Sequence, residues 1–202
     1  MTTAKPTQEQ DSVTVEIEIA APHDRVFQAL TDPKQLFAWW SKEPSTELLV
    51  FEMDARVSGR WRFRGKPAPG SNHGAVGEQL KRNEAQEFEA YGEILEYVPP
   101  RLLVWSWTAN WHQHPKESTT VRWELIPAKN GTRVRVTHSG LTHEPISRQD
   151  YKGGWQGVLQ LLIQFLEQYP YLFFSATVVQ LESVAGYVVE ARHEGFSGVY
   201  EV

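Results

Sequence analysis

What most constrains this chain is an order of elements. Between Leu48 and His138 six segments of strand character follow one another, and only after Pro145 does one long segment of helical period appear. Ahead of them, Val13, Val15, Ile17 and Ile19 alternate with Thr14, Glu16 and Glu18, the period of two of a strand with one face buried and the other wet. Ala21-Pro22 breaks that strand, and Val26, Phe27 and Leu30 then recur at helical spacing. Asp32-Pro33 offers an N-cap and a first-turn proline to a second short helix carrying Leu36, Phe37 and Trp40. The later strands are expected over Leu48 to Met53, Gly59 to Arg64, Phe88 to Tyr97, Leu102 to Thr108, Thr119 to Ile126 and Thr132 to His138. Pro99-Pro100 and Lys129-Asn130-Gly131 supply turn chemistry, so an antiparallel meander is expected. Residues 66–87, rich in Pro, Gly, Asn and charge, read as a long mobile loop.

Tyr151, Trp155, Val158, Leu159, Leu162, Phe165, Leu166 and Tyr169 recur at steps of three and four and define the long helix. Gly153, Gly154 and Gly157 in its first turns each cost up to ~1 kcal/mol of helix propensity, which suggests that something approaches the backbone closely there. The resulting β-α-α-β6-α order describes an α+β, helix-grip fold, a curved antiparallel sheet wrapped around a long C-terminal α-helix. Length supports one domain, with residues 1–12 a disordered polar lead, 13–169 the ligand-binding domain, and 170–202 an extension packing on the domain or on a partner subunit. In that extension Val178, Leu181, Ala185 and Val188 fit a helix, while Tyr187 to Ala191 also fit a strand.

Composition narrows the function. Lys and Arg total 20 against 25 Asp and Glu, a net charge of -5 that argues against nucleic acid as a partner. Absent cysteine removes thiolate chemistry and disulfides together. The lead MTTAKPTQEQDS has no apolar signal-peptide core, and no run reaches the ~20 apolar residues of a membrane span, so a cytoplasmic location without membrane partners is expected. Eight Trp have to be housed somewhere, and each can bury roughly 200 Å².

Several segments resemble one known family. They are residues 21–33 (APHDRVFQALTDP), Leu36-Phe37-Ala38-Trp39-Trp40, residues 54–63 (DARVSGRWRF), Gly92-Glu93-Ile94-Leu95-Glu96, residues 131–141 (GTRVRVTHSGL) and Gly154-Trp155. Together they are similar to the heat-shock protein 90 ATPase-activator homologue family of the START-like, birch-pollen-allergen-like (SRPBCC) superfamily, over roughly residues 13 to 168. The resemblance implies a cavity between sheet and long helix for a lipid, polyketide, hormone or other small apolar molecule. A few members of that superfamily catalyse cyclisation or hydrolysis. Ser58-Gly59 departs from the family's Gly-Gly, and the short lead leaves no room for the chaperone-binding domain of the eukaryotic co-chaperones.

Strand parity puts Trp105 with Trp107 on one face, Trp61 with Phe63 on another, and Trp123 between Val121 and Leu125. With Trp40, Trp155, Leu159 and Leu162 these residues are expected to line the cavity, although the same spacing describes ordinary core. Arg62 and Ser106 are out of phase with the aromatics and should face outward, whereas Glu93 and His138 are candidates for inward polar residues, the acid and base an enzyme would need. His112 and His114, with His138 and His143 in reserve, show an HxH spacing that could ligate a metal, but the preferred reading is surface histidines, with no metal and no cofactor. Tyr171, Leu172, Phe173 and Phe174 suggest either a homodimer contact or a tail folded back on the domain. Binding of a small apolar ligand is therefore the leading expectation, ahead of a cyclase- or hydrolase-like enzyme and of a stress-response or chaperone-associated interaction protein.

Overall fold

The computed structural model describes residues 11–170 and, further on, the two strands Val188–His193 and Phe196–Glu201. The chain divides into two compact units at Pro170 and Tyr171. In the first unit the elements are β1 (Ser12–Ile19), α1 (His23–Thr31), α2 (Pro33–Trp40), β2 (Thr46–Met53), β3 (Arg60–Pro67), α3 (Gly74–Arg82), β4 (Phe88–Val98), β5 (Leu102–Ala109), β6 (Thr119–Ala128), β7 (Gly131–Ser139) and α4 (Pro145–Gln168). The seven strands form one antiparallel sheet in the order β1-β7-β6-β5-β4-β3-β2. This is the expected meander, its first strand closing against its last, Val13 opposite His138 and Val15 opposite Val136. Alternation holds along β7, where Val134, Val136 and His138 face the core and Arg133 and Arg135 face water. On the wet face Arg133 and Arg135 meet Glu16 and Glu18, and Arg122 meets Glu96 and Glu124, an exposed ladder worth little per pair.

The short helices start as their residues dictate. Asp32 accepts hydrogen bonds from the Lys34 and Gln35 amides, at 2.8 and 3.3 Å, with Pro33 at the first helical position of α2. At the far end of α4, Arg25 of α1 donates from Nη2 and Nε to the Tyr169 carbonyl at 2.9 and 3.2 Å, while its Nη1 reaches Gln35 Oε1 at 2.8 Å. A buried guanidinium thus satisfies a carbonyl that the helix end leaves open and ties α4 to both short helices.

Residues 66–87 differ from the expected loop. β3 continues to Pro67, and α3 occupies Gly74–Arg82 with Val76, Gln79 and Leu80 buried. Val76 and Leu80 are four apart and share a helix face, a short signal masked in the sequence by Gly74, Gly77 and the surrounding polar residues. The lead is also shorter than expected: the Asp11 carbonyl accepts from the Leu141 amide at 2.8 Å and its carboxylate from Thr142 Oγ1 at 2.7 Å. Residues 1–10 and the apolar run Tyr171 to Phe174 lie outside the described residues. In the second unit, β8 (Val188–His193) pairs antiparallel with β9 (Phe196–Glu201), which gives residues 188–191 the strand of the two readings.

Candidate ligand-binding cavity

Aromatic residues cover the concave face, but they divide into two populations. Trp61, Trp105 and Trp123 are at most 2% exposed and form a row, with ring centroids 5.2 Å apart from Trp61 to Trp105 and 5.8 Å from Trp105 to Trp123. Trp123 then meets Trp155 of α4 edge-on at 5.5 Å, and Leu159 and Leu162 on the same helix are fully buried. β4 is bent where the row crosses it: a Cβ at Gly92 would lie 1.9 Å from the Ser106 carbonyl, the same oxygen that accepts the Trp61 indole N–H at 2.9 Å.

Beside this row the interior is hollow. A cavity of about 750 Å³ opens to solvent between α4, α3, the end of α2 and the sheet. Its wall includes the aromatic residues Trp40, Phe63, Phe88, Trp107, Trp111, Tyr151 and Trp155. Of the nine residues expected to line such a space, Trp40, Phe63, Trp107 and Trp155 do so; Trp61, Trp105, Trp123, Leu159 and Leu162 are packed core instead. Strand parity sorts inside from outside, but it is blind to whether the inside is filled.

The helical glycines explain where the space comes from. Gly153, Gly154 and Gly157 line the cavity together with Ile146 and Asp150, one stripe of α4 at helical period, and a Cβ on any of the three would meet nothing within 4 Å. Contrary to expectation, no group among the described residues presses on this backbone. The missing side chains leave volume rather than admit a neighbour.

Two buried histidines sit behind the wall, and both are neutral. His138 is fully buried: Trp155 Nε1 donates to its Nδ1 at 3.3 Å, its Nε2 lies 2.7 Å from Thr119 Oγ1, and that hydroxyl donates to the Trp107 carbonyl at 2.9 Å. The chain is self-consistent only with the proton on Nε2, the tautomer assigned from this network. Burial, reinforced by His112, holds the His138 pKa well below the ordinary imidazole range. His112, expected at the surface, is also fully buried, its Nε2 2.6 Å from the Tyr151 hydroxyl, which accepts the Trp111 indole N–H at 3.2 Å. Burial pulls the His112 pKa down to about 4, Glu144 opposing and His114 adding to the effect. Burial likewise raises the Tyr151 phenol above its usual range. Glu144 clamps the turn that carries these groups, accepting the Gln113 and His114 amides at 2.6 and 2.7 Å.

The remaining polar candidates separate. Glu93 is exposed on β4, whereas His138 lies on β7 with β5 and β6 between them, so they form no acid and base pair. Alternation along β4 sends Glu93 outward. Arg62 faces water and pairs with Glu89, as its phase requires. His114 packs its ring 5.9 Å from His143, away from the wall, and among the described residues no three His, Asp or Glu converge as metal ligands. The sequence reading missed Trp111 and Tyr151 as wall residues, although Tyr151 already stood in the helical series. It also missed the contribution of α3, through Val76 and Ala75, because that segment read as a loop.

An antiparallel sheet gripping one long helix, with an aromatic hollow between them, defines a helix-grip protein with an interior cavity. The family described as "Activator of Hsp90 ATPase homolog 1-like protein" matches residues 20–167, well over half of the chain, and the chain belongs to that family. Solved structures share the fold at low identity. A protein from Nitrosomonas europaea is 20% identical over 80% of this chain and 97% of its own, with a TM-score of 0.58. An AHSA1-like protein from Aeromonas hydrophila is 20% identical over 79% and 94%, with a TM-score of 0.56. DynU16, from the dynemicin biosynthetic locus, is 19% identical, with a TM-score of 0.55; the match covers 78% of this chain and 47% of DynU16. No curated protein matches the sequence. Among the described residues no helix is long and apolar enough to cross a membrane.

Proposed function

We propose that this chain binds a small, largely apolar aromatic molecule in the hollow beside Trp107 and Trp155, as a cytoplasmic carrier or sequestering protein rather than an enzyme. The observation that carries this reading is the contrast in α4, which presents Trp155, Leu159 and Leu162 to the core but Gly153, Gly154 and Gly157 to a cavity of about 750 Å³. Cavities that hold drug-sized ligands span ~300–1,000 Å³ and are lined mostly by apolar and aromatic groups with a few polar ones. Here the polar lining residues include Ser45, Gln149 and Asp150. That one structural relative comes from a biosynthetic locus agrees with a small-molecule ligand.

Native mass spectrometry of protein purified from its own host, paired with quenching of tryptophan fluorescence by flavonoids, aromatic polyketides and fatty acids, tests the reading. A co-purifying molecule, or saturable quenching by members of the panel, is expected. Absence of both ends it.

A further inference from the structure

The charge of the cavity wall carries a second step, which rests on the binding reading above and specifies the ligand. Glu43, on the turn from α2 into β2, and Asp150, on the glycine stripe of α4, both line the space, while no Lys or Arg does so among the described residues. Neither carboxylate is engaged by a Lys or Arg among those residues. Glu43 is held in place by the Ser45 amide at 3.2 Å and the Ser45 hydroxyl at 2.8 Å, hydrogen bonds that orient its charge without cancelling it. Burial raises the Asp150 pKa, and His73, which also lines the space, is the group that opposes this shift.

We propose that the cavity selects a positively charged ligand, an amine or other cationic nitrogen on a flat apolar body, and disfavours carboxylates. Trp40, Trp107, Trp111 and Trp155 supply the second half of the recognition. Their rings meet edge to face, Trp107 lying 5.7 Å from Trp155 and 6.2 Å from Trp111, and Trp40 6.4 Å from Trp155. Indole faces attract cations through the ring quadrupole, and carboxylates at the rim strengthen that preference. One feature of the wall works the other way: the first turn of α3, Gly74 to Val76, also lines the space. A helix N-terminus amounts to roughly half a positive charge, against two full negative charges from Glu43 and Asp150. The carboxylates win.

Calorimetric titration at pH 7.5 with three matched probes tests the assignment: 1-naphthylmethylamine, 1-naphthylmethanol and 1-naphthoic acid. The amine is expected to bind at least about tenfold more tightly than the acid, with the alcohol between them. Asp150→Asn and Glu43→Gln should each narrow the ratio of amine to acid affinity, and together bring it close to one, with far-UV circular dichroism reporting the fold. An acid that binds as tightly as the amine overturns the proposal, and so does a ratio that survives both substitutions. In either case binding of the neutral alcohol leaves the aromatic-ligand reading intact. If none of the three probes binds, both fall together.

Discussion

The row formed by Trp61, Trp105 and Trp123 and the wall formed by Phe63 and Trp107 are made of the same kinds of residue on one sheet, yet one is solid and the other borders empty space. The difference lies in what faces them. Trp155 marks the boundary, touching Trp123 at 5.5 Å on one side and Trp107 at 5.7 Å and Trp40 at 6.4 Å on the other. One face of α4 carries Leu159 and Leu162 into the core, and another carries Gly153, Gly154 and Gly157 along the cavity. The hollow in this fold is thus core from which one helix face has withheld its side chains.

Truncating an aromatic ring should therefore cost more in the solid half. Trp123→Ala is expected to destabilise by ~3–5 kcal/mol, because its fully buried ring is surrounded by partners that cannot all collapse into the gap. Phe63→Ala enlarges a space that already exists and should cost ~1–2.5 kcal/mol, since fewer dispersion contacts are lost. Urea denaturation of both variants measures the comparison, and equal costs would erase the distinction between filled and hollow halves.

Acid should act on the two histidines behind the wall. The unfolded chain protonates its histidines near 6.5, whereas burial keeps folded His138 neutral well below that and folded His112 neutral to about 4. Because the unfolded state then binds more protons, the stability contributed by these groups is complete above 6.5 and is lost as pH falls from there toward about 4. The loss approaches ~1.4 kcal/mol per pH unit per histidine, or about 1–3 kcal/mol between pH 7 and 5.5. His138 has both ring nitrogens satisfied, while His112 leaves Nδ1 without a partner among the described residues. Nitrogen-15 spectra of the imidazoles should therefore show His112 titrating first and His138 holding its Nε2 proton until the fold is lost. A stability profile flat from pH 7 to 5.5 would contradict the neutral assignment of both.

How much of this was legible in the sequence follows the same division. Period-two alternation in Val13 to Ile19, turn chemistry at Asn130-Gly131 and the helical series from Tyr151 give the sheet, its order and the gripped helix, because backbone periodicity is a local property. Inside and outside are legible for Arg62, which faces water as its phase requires, but Glu93, expected to turn inward, is exposed. The hollow is not, since it depends on which long-range neighbours face each other. Trp105 and Trp107 are indistinguishable by spacing and both pack on Trp61, and only the structure continues one to Trp123 and places the other on the cavity wall. The glycines did signal something unusual in α4, but a missing Cβ reads the same whether a neighbour fills the place or nothing does.

Putting side chains back on the glycine stripe sharpens the contrast directly. Gly157→Leu projects into the cavity from α4 and should weaken binding of an aromatic probe such as 1-naphthylmethanol at least about tenfold, ~1.4 kcal/mol, without loss of fold. Calorimetry on the variant reads this, and undiminished affinity would move the ligand elsewhere.

The smallest change asks the most specific question. Gly154 lies inside a helix of 24 residues, and a Cβ there meets nothing within 4 Å, so Gly154→Ala removes a propensity penalty without introducing a clash. The expected gain is ~0.5–1 kcal/mol in urea denaturation, part of it from the reduced freedom of the unfolded chain. A glycine kept for close packing would behave oppositely, with alanine destabilising. The sign of this one measurement therefore decides whether the stripe exists to admit a neighbouring protein group or to leave room for a guest, and stabilisation accompanied by weaker probe binding would show that the chain gives up helix stability to keep the space open.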